Sequence, residues 1–327
     1  MNEPPVRTRP APPPPGTWRD LPPAAGAVVM ATGILSVGFH LDGREALSRV
    51  LLCLAALVWL LLAWDFGARL LRSRRRWLAD ADTPPGLTAV AATTIIGVRI
   101  ALLGWNAFAG VLLALAVLLW AVLLTAVLRH LRRHMPGSVF LICVATQALA
   151  VLAATLAPAE GDWLAWAALV FSGLGLLLYA DALARFDFGQ ILRGAGDQWV
   201  AGGALAISAL AGSKLLESAV WSGSAYTALR TATLVLIALD LAWYVVLLCS
   251  ELLSPRPQYD VRRWATVFPL GMTAVASLST AAATGIAWLD TLGTVLLWVA
   301  ALAWLLTLCG LLRALLVRAA TPPPVGP

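Results

Sequence analysis

This sequence has little charge. Of its 327 residues only 12% are Asp, Glu, Lys or Arg, against 60% hydrophobic, and the mean hydropathy is +0.84. A soluble domain of that length could not hide so much apolar surface, so an integral membrane protein is expected. The apolar runs do not alternate with period two, which points to helices rather than a barrel as the spanning form. Histidine and cysteine are scarce too. Cys53, Cys143, Cys249 and Cys309 each stand alone inside an apolar segment, with neither metal-ligand spacing nor a disulfide frame. His130 and His134 have no third ligand at metal spacing nearby. No cofactor and no resident metal are expected. A glycine-rich loop with a Walker lysine is lacking, which excludes ATP as the energy source. No nucleophile–base–orienter group is visible and every polar loop is short, so the chain does not read as an enzyme. No signal-peptide cleavage pattern is apparent, because the first apolar run lies behind a long polar arm.

What is present is a series of ten apolar segments, near 22–40, 47–70, 85–104, 107–129, 138–158, 163–184, 197–216, 228–252, 264–285 and 289–313. A proline-rich arm over 1–21 and the end of the chain over 317–327 read as disordered tails around a 22–316 membrane domain. The net charge of +6 raises nucleic acid as a partner, but the arginines sit where a bilayer would order them. Arg7, Arg9 and Arg19, then Arg69, Arg72 and Arg74 to Arg76, then Arg129, Arg132 and Arg133 fall on one side. Arg185 and Arg193, Arg256, Arg262 and Arg263, and finally Arg313 and Arg318 continue that side. The opposite side carries only Arg44, Arg49, Lys214 and Arg230, with Glu160 and Asp162 in one loop. Positive charge favours the cytoplasm, so an even number of spans with both termini cytoplasmic is expected, and no nucleic acid.

Segment composition alternates. Odd segments are rich in Gly, Ala, Ser and Thr, as in AAGAVVMATGILSVGF over 24–39; even ones are bulky, as in LLCLAALVWLLLAWDF over 51–66. Leu/Trp helices suit a lipid-facing ring, and small-residue helices suit an inner one. The expected fold class is an all-α integral membrane protein with ten transmembrane helices as five helical hairpins around a central pore, a compact solid bundle being the alternative. The ninth segment, Trp264–Gly285, stands out. After Met272 its side chains are nearly all small or hydroxylated, and one large ring, Phe268, stands beside Pro269 near its entry. That is the composition of a wall with a single plug, or of an ordinary tightly packed helix.

Two short motifs carry a family resemblance. Met30-Ala31-Thr32-Gly33-Ile34-Leu35-Ser36 resembles the Gly-Thr-Gly-Ile signature of the tellurite-resistance/dicarboxylate transporter family, with Ala31 in place of its first glycine. Val267-Phe268-Pro269-Leu270 resembles that family's Phe-Pro element. The family includes yeast malate permeases, bacterial tellurite-resistance proteins and plant slow-type guard-cell anion channels. The resemblance implies a pore inside five inner helices, blocked at mid-depth by Phe268, and a homotrimer with one pore per subunit. It implies transport of small anions in the cytoplasmic membrane, with C4-dicarboxylates such as malate first. A passive inorganic-anion channel or a tellurite-resistance-type permease is the alternative.

Candidate site residues follow. Phe268 and Pro269 are the gate. Thr32, Gly33, Ser36, Thr93, Thr94, Thr146, Ser208, Thr273, Ser277 and Thr280 are expected to line the path, because weak polar sites release ions readily. Arg99 lies within the third segment, either as an anion attractor on the pore or as a side chain reaching the nearby surface. Asp240, deep in an outer-type span, should turn from lipid toward a charge partner. His40 is a candidate pH-sensitive group or a plain helix-end residue, and Lys214 with Glu217 a candidate surface pair.

Overall fold

The computed structural model describes residues 25–72, 83–256 and 259–320. The arginines from Arg74 to Arg76, the arm over 1–21 and the stretch over 321–327 lie outside the described residues. Ten long helices run in order: α1 (Gly26–Leu41), α2 (Glu45–Arg72), α3 (Thr88–Ala101), α4 (Asn106–Leu128), α5 (Leu141–Glu160), α6 (Trp163–Arg185), α7 (Val200–Leu216), α8 (Gly223–Leu253), α9 (Trp264–Thr284) and α10 (Ala287–Ala320). They coincide with the ten apolar segments, although α8 starts earlier than expected and α10 runs past 316 to Ala320. Nine of the described helical stretches are long and apolar enough to cross a membrane, and α1 is a shorter apolar helix of 16 residues.

Burial divides the ten sharply. In the spans of α3, α5, α7 and α9 between 78% and 94% of residues are buried; in those of α2, α4, α6, α8 and α10 the share is 11% to 33%. The odd helices close a ring, α1 against α3, α3 against α5, α5 against α7, α7 against α9, and α9 back against α1. Each even helix packs on its hairpin partner and on the inner helix of the next hairpin, so five seams surround the ring. Exposed Trp64, Leu60, Leu118, Leu177, Val245 and Leu306 give the outside the apolar surface that lipid requires. The chain is an all-α membrane protein of five hairpins.

Local chemistry explains the close packing of the ring. A Cβ added at Gly203 of α7 would stand 2.9 Å from Cγ of Pro269 on α9, so only glycine lets those backbones meet. Gly285 ends α9 with a left-handed φ of 73°, the backbone an abrupt turn into α10 demands. Helices α3, α5, α7 and α9 are each entered through a 3-10 turn, at Pro84–Leu87, Gly137–Phe140, Asp197–Trp199 and Val261–Arg263.

Candidate functional site

The inner helices point the same way, and their first turns converge on one cavity of about 120 Å³. Ala27 and Met30 of α1, Thr88 of α3, Leu141 of α5, Val200 of α7, and Ala265 and Phe268 of α9 line it. Pro85, Ser138, Asp197, Val261 and Arg262 of the entry turns complete the wall. Deeper on the same axis is a space of only about 10 Å³ between Ile34, Val37, Thr94, Ile95, Val98, Ala148, Val151, Ile207, Leu210 and Met272. That is roughly the room of one water molecule, too little for an ion with any of its hydration. All its lining side chains are uncharged.

The two spaces are stacked by helical register. Thr88 and Ile95, Leu141 and Ala148, Val200 and Ile207, and Ala265 and Met272 are pairs seven residues apart, on one helix face and about 10 Å apart in rise. Phe268 falls between Ala265 and Met272 on that face, buried, at the inner wall of the cavity. Pro269, about 100° further round, turns instead toward Gly203. Having no N–H, it leaves the carbonyl of Ala265 without its helical partner, which loosens α9 at the level of the ring.

Helix N-termini carry partial positive charge, and five of them aimed at one cavity favour an anion there. One carboxylate is already present: Asp197 Oδ2 accepts the backbone N–H of Ser138, 3.2 Å away, and so caps the entry of the neighbouring inner helix. Arg262 holds Asp260 with two bonds, Nε to Oδ1 at 3.1 Å and Nη2 to Oδ2 at 2.9 Å. The Arg262 guanidinium keeps the Asp260 carboxyl below its usual range. Asp197, Arg262, Thr88 and Ser138 were not among the expected site residues. Their signal in the sequence was position, each standing at or just before the start of an odd segment.

The expected path residues divide by helix face. Thr94 lines the constriction, and its hydroxyl donates back to the Val90 and Ala91 carbonyls. Thr32, Thr93 and Thr146 face outward, each accepting an indole N–H from the outer helix across a seam. Trp304 donates to Thr32 at 2.9 Å, Trp59 to Thr93 at 3.0 Å and Trp120 to Thr146 at 2.8 Å. Thr93 and Thr146 accept on a free lone pair while donating their own protons within the helix, to the Ala89 and Ile142 carbonyls. Gly33 packs against Ile95, and Ser36 exchanges hydrogen bonds with Ser48 of α2. Ser208 bonds the Ala204 carbonyl beside Cys143, and Ser277 bonds the Thr273 carbonyl. Thr273 donates to Asp240, 3.2 Å away. Thr280 is buried with its hydroxyl unpartnered.

Arg99 is fully buried, yet its charge does not face the axis. Nη2 bonds Glu45 Oε1 at 2.7 Å and Nε bonds Ser48 Oγ at 2.8 Å, both on α2. Glu45 also holds His40 at 2.7 Å and Arg49 at 2.9 Å. This network ties α1, α2 and α3 at the end of the ring remote from Phe268. Lys214 and Glu217 pair at 2.7 Å. Among the described residues no group of three or more His, Cys, Asp or Glu could hold a metal.

A closed ring of five small-residue helices inside five bulky ones, with a cavity at one end and a ring side chain beneath it, defines a class: a polytopic helical membrane protein built around an axis. The sequence model of the SLAC1 family, described as voltage-dependent anion channel, matches residues 20–312, and the chain belongs to that family. The family carries anions across membranes. No curated protein matched the chain.

Proposed function

We propose that the chain is a gated passive pathway for small anions along the ring axis, with Phe268 as the gate. The observation that carries this reading is the cavity into which the five inner-helix N-termini point, ending at Phe268. Anions gather where helix N-termini converge, and an aromatic ring above an aliphatic constriction blocks them sterically and by dewetting. The constriction beyond Phe268 is lined by uncharged side chains, with no arginine to grip a carboxylate in two bonds. That supports weakly hydrated monovalent anions, such as chloride or nitrate, ahead of C4-dicarboxylates. Transport of malate or a related dicarboxylate is the second reading, favoured by the cavity itself, where Arg262 stands among helix N-termini and a larger anion has room to dock. Placement in the plasma membrane with both termini cytoplasmic, supported by the arginine distribution, belongs to the same proposal. So does the homotrimer implied by the resemblance.

Flux into proteoliposomes decides between these readings. The first expects voltage-driven chloride or nitrate flux that needs no proton gradient. Malate uptake without inorganic-anion current would replace it with the second. A Phe268→Ala protein that carries neither would overturn both.

A further inference from the structure

Asp240 lies in the interior of α8, an outer helix, yet is fully buried. Its carboxyl turns inward. Oδ1 accepts the Thr273 hydroxyl of α9, and a Cβ added at Gly202 of α7 would come within 3.6 Å of the same oxygen. Oδ2 is buried and has no hydrogen-bond partner. The titratable groups near enough to sense its charge are Tyr179 of α6 and Tyr244 of its own helix, with Cys143 of α5 beside Tyr179. None of these is a cation, and no ion pair to Asp240 occurs among the described residues. At three other seams the outer helix offers an indole N–H to a threonine on the inner helix; at the α8–α9 seam it offers a carboxyl.

We propose that Asp240 is a proton-binding site behind the wall of the axis, whose occupancy sets the position of α9 and with it Phe268. This rests on the reading of Phe268 as a gate. The two charge states make different demands on the surroundings. The acid, bonded to the Thr273 hydroxyl, leaves only a neutral Oδ2 unpartnered, whereas the anion, with one hydroxyl donor and no cation, leaves a poorly solvated charge. Losing the proton to the solution leaves a charge that draws in any donor able to move. Thr273 is that donor, one residue beyond Met272 and four beyond Pro269, where α9 lacks a backbone hydrogen bond and bends most easily. A shift of α9 at Thr273 therefore reaches the face that carries Met272 and Phe268.

The test uses the full chain in proteoliposomes, wild type beside Asp240→Asn and Asp240→Glu. Infrared difference spectra between acidic and alkaline pH should contain a carboxylic-acid carbonyl band that Asp240→Asn removes and Asp240→Glu shifts. Anion flux of the wild type should change by about fivefold or more over the same pH range, the lower edge of ordinary coupling. Asp240→Asn, which keeps the shape without the proton, should flatten that profile to less than about twofold, and Asp240→Glu should restore it. Absence of the band from the wild type overturns the proton site whether or not the protein conducts. A band with identical flux profiles in wild type and Asp240→Asn overturns the link to α9. A band without flux in any variant, Phe268→Ala included, overturns the gate reading and the link together, while the proton site stands.

Discussion

The two faces of the inner helices are built from different chemistry, and the arrangement is the reverse of the intuitive one. Three hydroxyls turn outward, where Thr32, Thr93 and Thr146 receive indoles from the lipid-facing ring. Aliphatic side chains turn inward, where Ile34, Ile95, Ile207 and Leu210 narrow the axis. The difference follows from what each face touches. A tryptophan packed between helices inside a bilayer must find an acceptor for its N–H, because no water is there to supply one. A constriction that holds ions back has no such obligation and works best dry. Polar residues in these spans thus mark the seams, and the axis is recognised by the side chains that leave it unsolvated.

The largest expected effect lies on the outward side. Arg99→Gln removes a fully buried guanidinium with its bonds to Glu45 and Ser48, and should cost about 3 kcal/mol in thermal or denaturant unfolding, since a hydrogen bond to a charged group is worth about 1.5–3 kcal/mol. Flux through an open-gate variant should change little. A fall in flux with stability intact would instead make Arg99 an attractor for the permeating anion.

On the axis, Ile34→Thr should cost about 2 kcal/mol through lost apolar packing and an added hydroxyl. It should also raise anion flux severalfold in an open-gate background, because it wets the constriction. Across the seam, Trp304→Phe or Thr32→Val removes one hydrogen bond and should cost about 1 kcal/mol without altering flux. If the seam pair changed conduction while Ile34→Thr did not, the assignment of the two faces would be inverted. The smallest effect belongs to the cavity rim. Asp260 and Arg262 pair with 38% and 52% of their side chains exposed, so Asp260→Asn should cost under about 1 kcal/mol at neutral pH. Its carboxyl is depressed below the ordinary value of 3.8, so this contribution is present above about pH 4. It should vanish from the wild-type-minus-variant difference as pH falls further, which unfolding curves at several pH values would detect.

The ten helices and their inner and outer roles were legible because lipid imposes them. Every span must be apolar and long, and only small side chains allow five helices to close into a ring. Phe268 and Pro269 were legible as one bulky pair at the start of a small-residue helix. The lining was not, because α1, α3, α5, α7 and α9 are buried on all sides. Their residues are small or apolar all round, and no polar stripe reports which face meets the axis. Two residues as similar as Thr93 and Thr94 end on different faces for want of nothing but 100° of helical rotation. Arg99 was equally opaque. Its partner Glu45 lies 54 residues earlier, at the start of an outer helix with other candidates for its charge.

The central claim is that Phe268 closes the axis rather than filling a core. Thermal stability and anion current measured on the same Phe268→Ala preparation test it most directly. Emptying a packed core position of its ring costs roughly 3–5 kcal/mol. The account predicts a much smaller loss, because the ring borders a cavity, together with a clear rise in anion current. A protein destabilised by the full amount and no more conductive than wild type would contradict it.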